Sequence, residues 1–495
     1  MPAYYLEIAV VALGLILLLA EAFISGSDKR SLGWVAILGL AVVYAMTFFV
    51  KGGDGGFWDY YTYDEGSFAG FFKGIALIAT IIVIFMSMDY HGVIQDYTSK
   101  SYGVGEFYVL PIFTCAGLMW AASAIDLISI FVAIELVSIS FYVLVAFMRR
   151  NVGSLEAGVK YLILGALSTG FMVYGITWIF GATGQTNLAL LEEALSGPNV
   201  NEMASLFGFA LLMVSLGFKV GAFPFNVWIP DVYQGAPTPI TAFLSVASKS
   251  AGFIVLVRVI QPFMNSTAIN DSVILIMMVL AGGTMIFGNL VAILQTNFKR
   301  LMAYSSISHA GFLLLALACA PQRTEAMTIH PINAVSMNLG SYTMMTLLAF
   351  FVLTIVRAKL GGEDLATFKG LSKRSPFLAF ALLIAMAALA GIPLTSGFFG
   401  KFFVFRIAVQ AEQWLLLGIA ILAAGAGFYY YFKVVKAMYF DGADLPADTP
   451  KLEVGALQRA VMLVLVVGIL IFGFNPRPLL NLSATVPAAV TAVAK

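Results

Sequence analysis

Windows of about 20 predominantly apolar residues recur fourteen times along the chain, and no other feature limits its fold so strictly. They fall at about 4–25, 31–50, 68–90, 106–123, 126–148, 155–181, 204–227, 240–260, 271–295, 301–320, 332–356, 377–410, 414–436 and 457–475. In lipid a backbone can satisfy its polar groups only within helices or around a closed barrel. The runs are continuous rather than alternating, which excludes the barrel. The sequence therefore predicts an all-α polytopic membrane protein with about fourteen spans. Its composition agrees: 61% of residues are apolar and only 11% charged, where soluble domains run near a quarter charged.

A net charge of +1 argues against a nucleic-acid partner. Cys115 and Cys319 sit in apolar runs and form no CxxC, so they read as small buried residues, not as redox or metal ligands. Connections between spans are short, and none could hold a soluble domain. The whole of 1–495 is expected to be one membrane domain.

Lys and Arg set the orientation. Sixteen of the 27 fall in connections after odd-numbered spans, six lie on the opposite side with both termini, and five lie within spans. The positive-inside rule then places both termini outside and the turn Trp228–Pro239 on the cytoplasmic side.

The seventh and twelfth spans share a defect. Gly217, Gly221 and Pro224 surround Lys219 in one, and Gly391, Pro393, Gly397 and Gly400 precede Lys401 in the other. Both should break, because Pro removes a backbone donor and Gly loosens the turn. Interrupted spans at matching positions point to inverted repeats with an ion site between them. The expected organisation is a three-helix segment over 1–105, a five-helix repeat over 106–260 (spans four to eight), a second over 271–440 (spans nine to thirteen), and a last helix with a tail over 441–495.

Within the spans Glu135, Lys219, Lys249 and Lys401 stand out. At about 3 kcal/mol each, four such groups burden the bundle by roughly 12 kcal/mol, comparable with the whole stability of a typical domain. Structural ion pairs fit poorly, since one carboxylate cannot pair three lysines. Proton handling fits better: a desolvated ammonium can release its proton, whereas arginine cannot, and a nearby carboxylate would titrate with it as a unit. His309, among Tyr304, Ser305, Ser306 and Ser308, could bridge Lys249 to Lys401; the alternative is a satisfied interior histidine. Lys160 is a further candidate, although snorkelling toward Arg149 and Arg150 also explains it. Lys73 and Glu7 read as snorkelling from span ends.

The segments FKVGAFPFNVWIPDVYQGAPTPITAFLSVASKSAG, AYSSISHAGF and GIPLTSGFFGKFFVF resemble motifs of the antiporter-like, proton-pumping membrane subunits of respiratory complex I and the related Mrp antiporter subunits. The resemblance covers about residues 105–440. Within the family it is strongest to the N branch, through VYQGAPTP, SVASKSAGF and a lysine at 401. It implies that Glu135 and Lys219 form an ion pair between the fifth and seventh spans, Lys249 is a central relay and Lys401 the output lysine. Asn226 and Gln234 stand where relatives often carry His and Glu. It further implies a translocase subunit of a bacterial inner-membrane NADH:quinone oxidoreductase, with both termini periplasmic. FMN, iron–sulfur clusters and quinone would lie on partner subunits, no cofactor or metal on this chain, and other antiporter-like and peripheral subunits beside it. A subunit of a Mrp-type Na⁺/H⁺ antiporter complex is the alternative.

Overall fold

The computed structural model describes residues 2–24, 26, 28–50, 61–62, 68–98, 104–198, 200–320, 330–441 and 451–483. Ordered along the chain, the spans are Tyr5–Phe23, Arg30–Thr47, Phe68–Asp89, Glu106–Ser123, Leu127–Val145, Val152–Thr183, Glu202–Val220, Thr238–Asn265, Asn270–Leu294, Phe298–Ala318 and Pro331–Leu360. The twelfth is divided into Pro376–Ala390 and Ser396–Gln410, and Trp414–Tyr439 and Ala456–Phe474 follow. Among the described residues thirteen helices are long and apolar enough to cross a membrane; the divided twelfth completes the fourteen expected.

Several starts are set by side chains that accept the first free amides of a helix. The Asp126 carboxylate takes Ile128 N–H at 2.8 Å and Ser129 N–H at 3.2 Å. Asn151, Asn187 and Asn297 play the same role at later starts. Where spans approach closely, small residues allow it, as is usual between helices in lipid. A Cβ on Gly288 would stand 2.7 Å from Ser308 N, so the ninth and tenth spans could not pack as they do with any larger residue there.

Burial is graded across the bundle. The apolar windows of the eighth and tenth spans are buried throughout and that of the eleventh to 94%, whereas the first, second, sixth and fourteenth reach only 28%. The eighth, tenth and eleventh spans therefore form the enclosed centre. The peripheral spans carry their apolar side chains outward, toward lipid or a neighbouring protein.

Both expected breaks are present. The seventh span ends at Val220, Gly221 takes a left-handed conformation (φ +82°), and the short helix Ile229–Gly235 resumes the path after a turn. In the twelfth, Gly391 does the same (φ +88°) before the helix restarts at Ser396. The seventh break falls after Lys219, not around it, so that lysine occupies the last helical turn. One irregularity carried no sequence signal: Leu244–Ser248 forms a π-helical turn directly before Lys249.

Candidate functional site

Lys219, Lys249, His309 and Lys401 are each 3–6% exposed and lie in the buried interior. Lys219 donates to Ser138 Oγ at 2.6 Å. Glu135 is half-buried and accepts instead from Thr169 Oγ1 at 2.7 Å, on the sixth span. Among the described residues the expected Glu135–Lys219 pair is thus not a direct contact. Ser138 follows Glu135 by three residues, on the adjoining turn, and its hydroxyl takes the lysine while the carboxylate turns toward the sixth span.

A cavity of about 10 Å³, room for about one water, joins Lys219 to Ser138, Tyr161, Ser248 and Gly252. Gly252 permits this proximity, because a Cβ there would meet Val220 Cγ1 at 2.9 Å and the Lys219 carbonyl carbon at 3.2 Å. Ser248 is the last residue of the π turn and adjoins Lys249. The irregular turn therefore brings the eighth span's lysine beside the end of the seventh.

Lys249 donates to the Ser306 carbonyl and lies 4.8 Å above the Tyr342 ring. His309 stands 5.1 Å from that same ring and 6.3 Å from the ring of Phe312. Lys401 lies 5.5 Å above Phe312 on the far side and donates to the Leu389 and Ala390 carbonyls at 3.0 and 2.9 Å. His309 thus occupies the interval between the two lysines, with one aromatic ring shared on either side. Its Nε2 faces Tyr431 Oη at 3.4 Å, and Tyr431 also bonds Ser305. Nδ1 of His309 and the hydroxyls of Ser341, Tyr342 and Thr346 are buried without a partner among the described residues. The eleventh span, which carries no charge before Arg357, therefore contributes hydroxyls at this depth.

At the end where the sixth and tenth spans begin and the eleventh ends, a polar cleft of about 390 Å³ opens. Lys160 lines it, 42% exposed, in ion pairs with Glu156 at 2.7 Å and Asp231 at 2.8 Å. Arg300 reaches Asp231 at 2.8 Å and Gln234 at 3.0 Å. Burial alone would raise the Asp231 carboxyl, but hydrogen bonds from Lys160 and Arg300 outweigh it and hold the group below the usual carboxylate range. Deeper in the cleft, Glu363 pairs with Lys299 at 2.8 Å and Arg357 at 3.5 Å and accepts from Thr238 at 3.2 Å. Tyr233 leads inward from Gln234, its hydroxyl 3.4 Å from Ser306 Oγ, beside the carbonyl that holds Lys249. Sequence reasoning missed Tyr233, Tyr342, Tyr431 and Glu363. The tyrosines looked like ordinary aromatic content, and Glu363 sits in a connection whose packing no periodicity discloses.

Two sequence expectations are corrected. Lys73 and Glu7 do not snorkel: Lys73 is 0% and Glu7 4% exposed, and they pair at 2.7 Å across the first and third spans. Their helices turn these side chains toward each other, which removes both from solvent and lipid together.

Comparison with known proteins places the chain in company. The family model for the transmembrane region of NADH:quinone oxidoreductase and Mrp antiporter subunits matches residues 124–426. NADH-quinone oxidoreductase subunit N of Desulforamulus reducens is 35% identical over 96% of this chain and 95% of its own length. A chain of respiratory complex I from Thermus thermophilus, solved with bound aureothin, superposes with a TM-score of 0.79 at 29% identity, covering 97% of this chain and 99% of that one. A chain of the Mrp complex from Dietzia shares the fold, with a TM-score of 0.77 at 19% identity over 96% and 94% of the two chains.

Proposed function

Because this chain belongs to the family of membrane subunits common to NADH:quinone oxidoreductase and Mrp antiporters, we propose that it is the proton-translocating membrane subunit of an NADH:quinone oxidoreductase. Protons enter from the polar cleft, pass Tyr233 and Ser306 to Lys249, and continue by His309 to Lys401. Lys219, under the influence of Glu135, Ser138 and Thr169, controls the charge beside Lys249. The observation that carries this reading is the succession of Lys219, Lys249, His309 and Lys401 through the enclosed centre, with a helix break beside each outer lysine.

A break adjoins each outer lysine, and the second supplies the acceptors of Lys401. A helix end leaves its last carbonyls unpaired and carries partial negative charge. Lys219 sits in the last turn of its own helix, and Lys401 reaches the terminal carbonyls of the half-helix before it. Each ammonium is therefore stabilised without a permanent carboxylate partner and can be discharged without leaving an orphaned anion. Half-helix ends serve ions in transporters in the same way.

Moving one charge against 100 mV costs about 2.3 kcal/mol. We assign the source of that energy to redox chemistry on partner subunits, which carry FMN, iron–sulfur clusters and quinone. The setting is a bacterial inner membrane with both termini on the periplasmic side, beside other antiporter-like subunits. The full-length relative named as an NADH-quinone oxidoreductase subunit favours this over a Na⁺/H⁺ antiporter complex, and the intact complex should copurify with flavin- and iron–sulfur-bearing chains.

Lys219→Ala tests the relay. In the intact complex reconstituted into vesicles, protons translocated per NADH oxidised should fall. Unchanged translocation would overturn the reading.

A further inference from the structure

Asn289 lies in the apolar run of the ninth span, buried to 4% exposure. An amide in such a place is costly unless it is hydrogen-bonded. Here it is bonded on both sides. Its Nδ2 donates to Ser308 Oγ on the tenth span and to the Met285 carbonyl of its own helix, each at 2.7 Å. Its Oδ1 accepts from Tyr430 Oη on the thirteenth span at 3.3 Å.

The two partners from other spans are the chain neighbours of His309 and Tyr431. Ser308 precedes His309, and Tyr430 precedes Tyr431 with the two rings 4.6 Å apart. His309 Nε2 and Tyr431 Oη themselves meet at 3.4 Å. Asn289 therefore joins the first residue of each pair, and the second residues meet directly. The ninth span can reach this position because Gly288 has no Cβ to strike Ser308 N, which would stand 2.7 Å away. A slip of one residue in the tenth span would turn its side chains by about 100° and separate His309 from Tyr431. A single buried asparagine is the best-attested device for fixing the register of packed helices. Interhelical hydrogen bonds in lipid contribute little stability on average, so register explains the buried amide better than adhesion does.

We infer that Asn289 is a positioning residue for His309: by holding Ser308 and Tyr430 it fixes the contact of His309 Nε2 with Tyr431. The inference deepens the proton-translocating reading above and rests on it. The bond made by one imidazole nitrogen sets what the other can do, and Nδ1 is buried without a partner among the described residues. Nδ1 takes the proton that arrives from Lys249 and gives it on toward Lys401, so the ring is neutral before and after. Asn289 exchanges nothing, because an amide does not titrate. Of the groups that face His309, Lys249 comes from the eighth span, Tyr342 from the eleventh, Lys401 from the twelfth and Tyr431 from the thirteenth. The ninth brings the neutral amide.

The test compares Asn289→Leu, Tyr430→Phe and His309→Leu in the intact complex, reconstituted into vesicles, with protons per NADH followed across pH. Leucine is close in volume to asparagine and lacks the amide; phenylalanine keeps the ring of Tyr430 and removes the hydroxyl that donates to Asn289. Both variants should assemble to the parent level, lower protons per NADH and displace the pH at which translocation is half-maximal. Added to His309→Leu, Asn289→Leu should cause no further loss. Should Asn289→Leu fail to assemble, Tyr430→Phe decides. Parent-level translocation, or a fall in translocation with the pH midpoint unmoved, makes the amide a staple between helices and overturns the inference. Parent-level translocation in His309→Leu overturns the relay through His309 itself.

Discussion

Lys401 is held by the Leu389 and Ala390 carbonyls, which the helix break leaves without amide partners. Arginine could keep such bonds but could not release a proton. Lys401→Arg is therefore expected to preserve assembly and quinone reduction while protons per NADH fall as far as in Lys401→Ala; vesicle assays of both variants check this. Ser138 matters for a different reason. Its hydroxyl accepts from Lys219, and losing a hydrogen bond to a charged group costs about 1.5–3 kcal/mol. Ser138→Ala should weaken proton translocation and leave Glu135 bonded to Thr169, whereas Thr169→Val should act on Glu135 alone. Asp231 gives a pH dependence. Its carboxyl is held below the usual range in the folded chain, so its ion pairs stabilise the cleft fully above the unfolded value of about 4 and are lost as pH falls through the lower folded value. Thermal unfolding in detergent should show an acid loss of stability that Asp231→Asn diminishes.

The two breaks and the π turn place these residues, and they differ in how far the sequence disclosed them. Gly221 and Gly391 were legible because a backbone at φ above +80° demands glycine, and a nearby proline marks the end of a helix. An alanine at 391 would incur about 1–2 kcal/mol of left-handed strain, and its Cβ would stand 3.1 Å from Lys401 Cδ. Gly391→Ala should accordingly lower both the thermal midpoint of the complex and protons per NADH. The spans were legible too, since each needs only a run of apolar residues. The π turn Leu244–Ser248 was not. One extra residue in a turn leaves composition unchanged, so no run of residue types announces it. Lys73 and Glu7 were misread on the same ground: distance from a span end suggests access to water, but which way the side chain faces is decided by neighbouring helices. Of the site, the lysines and His309 were legible because ionisable groups are rare in apolar runs. The tyrosine hydroxyls between them were not, because tyrosine is common in such runs. Removing Ala247 should convert the turn to regular α-helix, keep the flanking register and straighten the approach to Lys249. Loss of translocation with retained assembly is the expected result, read in the same vesicles.

Direction belongs to the molecule as a whole. The polar cleft with Glu363 and Asp231 opens at one end of the bundle, and the buried contacts of Glu7, Tyr61 and Lys73 lie toward the other. Intake can be assigned to the cleft only if it faces the cytoplasm. The excess of Lys and Arg, sixteen against six, predicts that placement by the positive-inside rule, and two of those sixteen cations, Lys299 and Arg357, line the cleft. The native thiols do not obscure a labelling test, since Cys115 and Cys319 are fully buried. Arg150, at the cleft end, and Glu202, at the opposite end, are both exposed. With an impermeant maleimide, Glu202→Cys should be modified in intact cells and Arg150→Cys only in inverted vesicles. The reverse pattern would make the polar cleft the exit of the path and not its entrance.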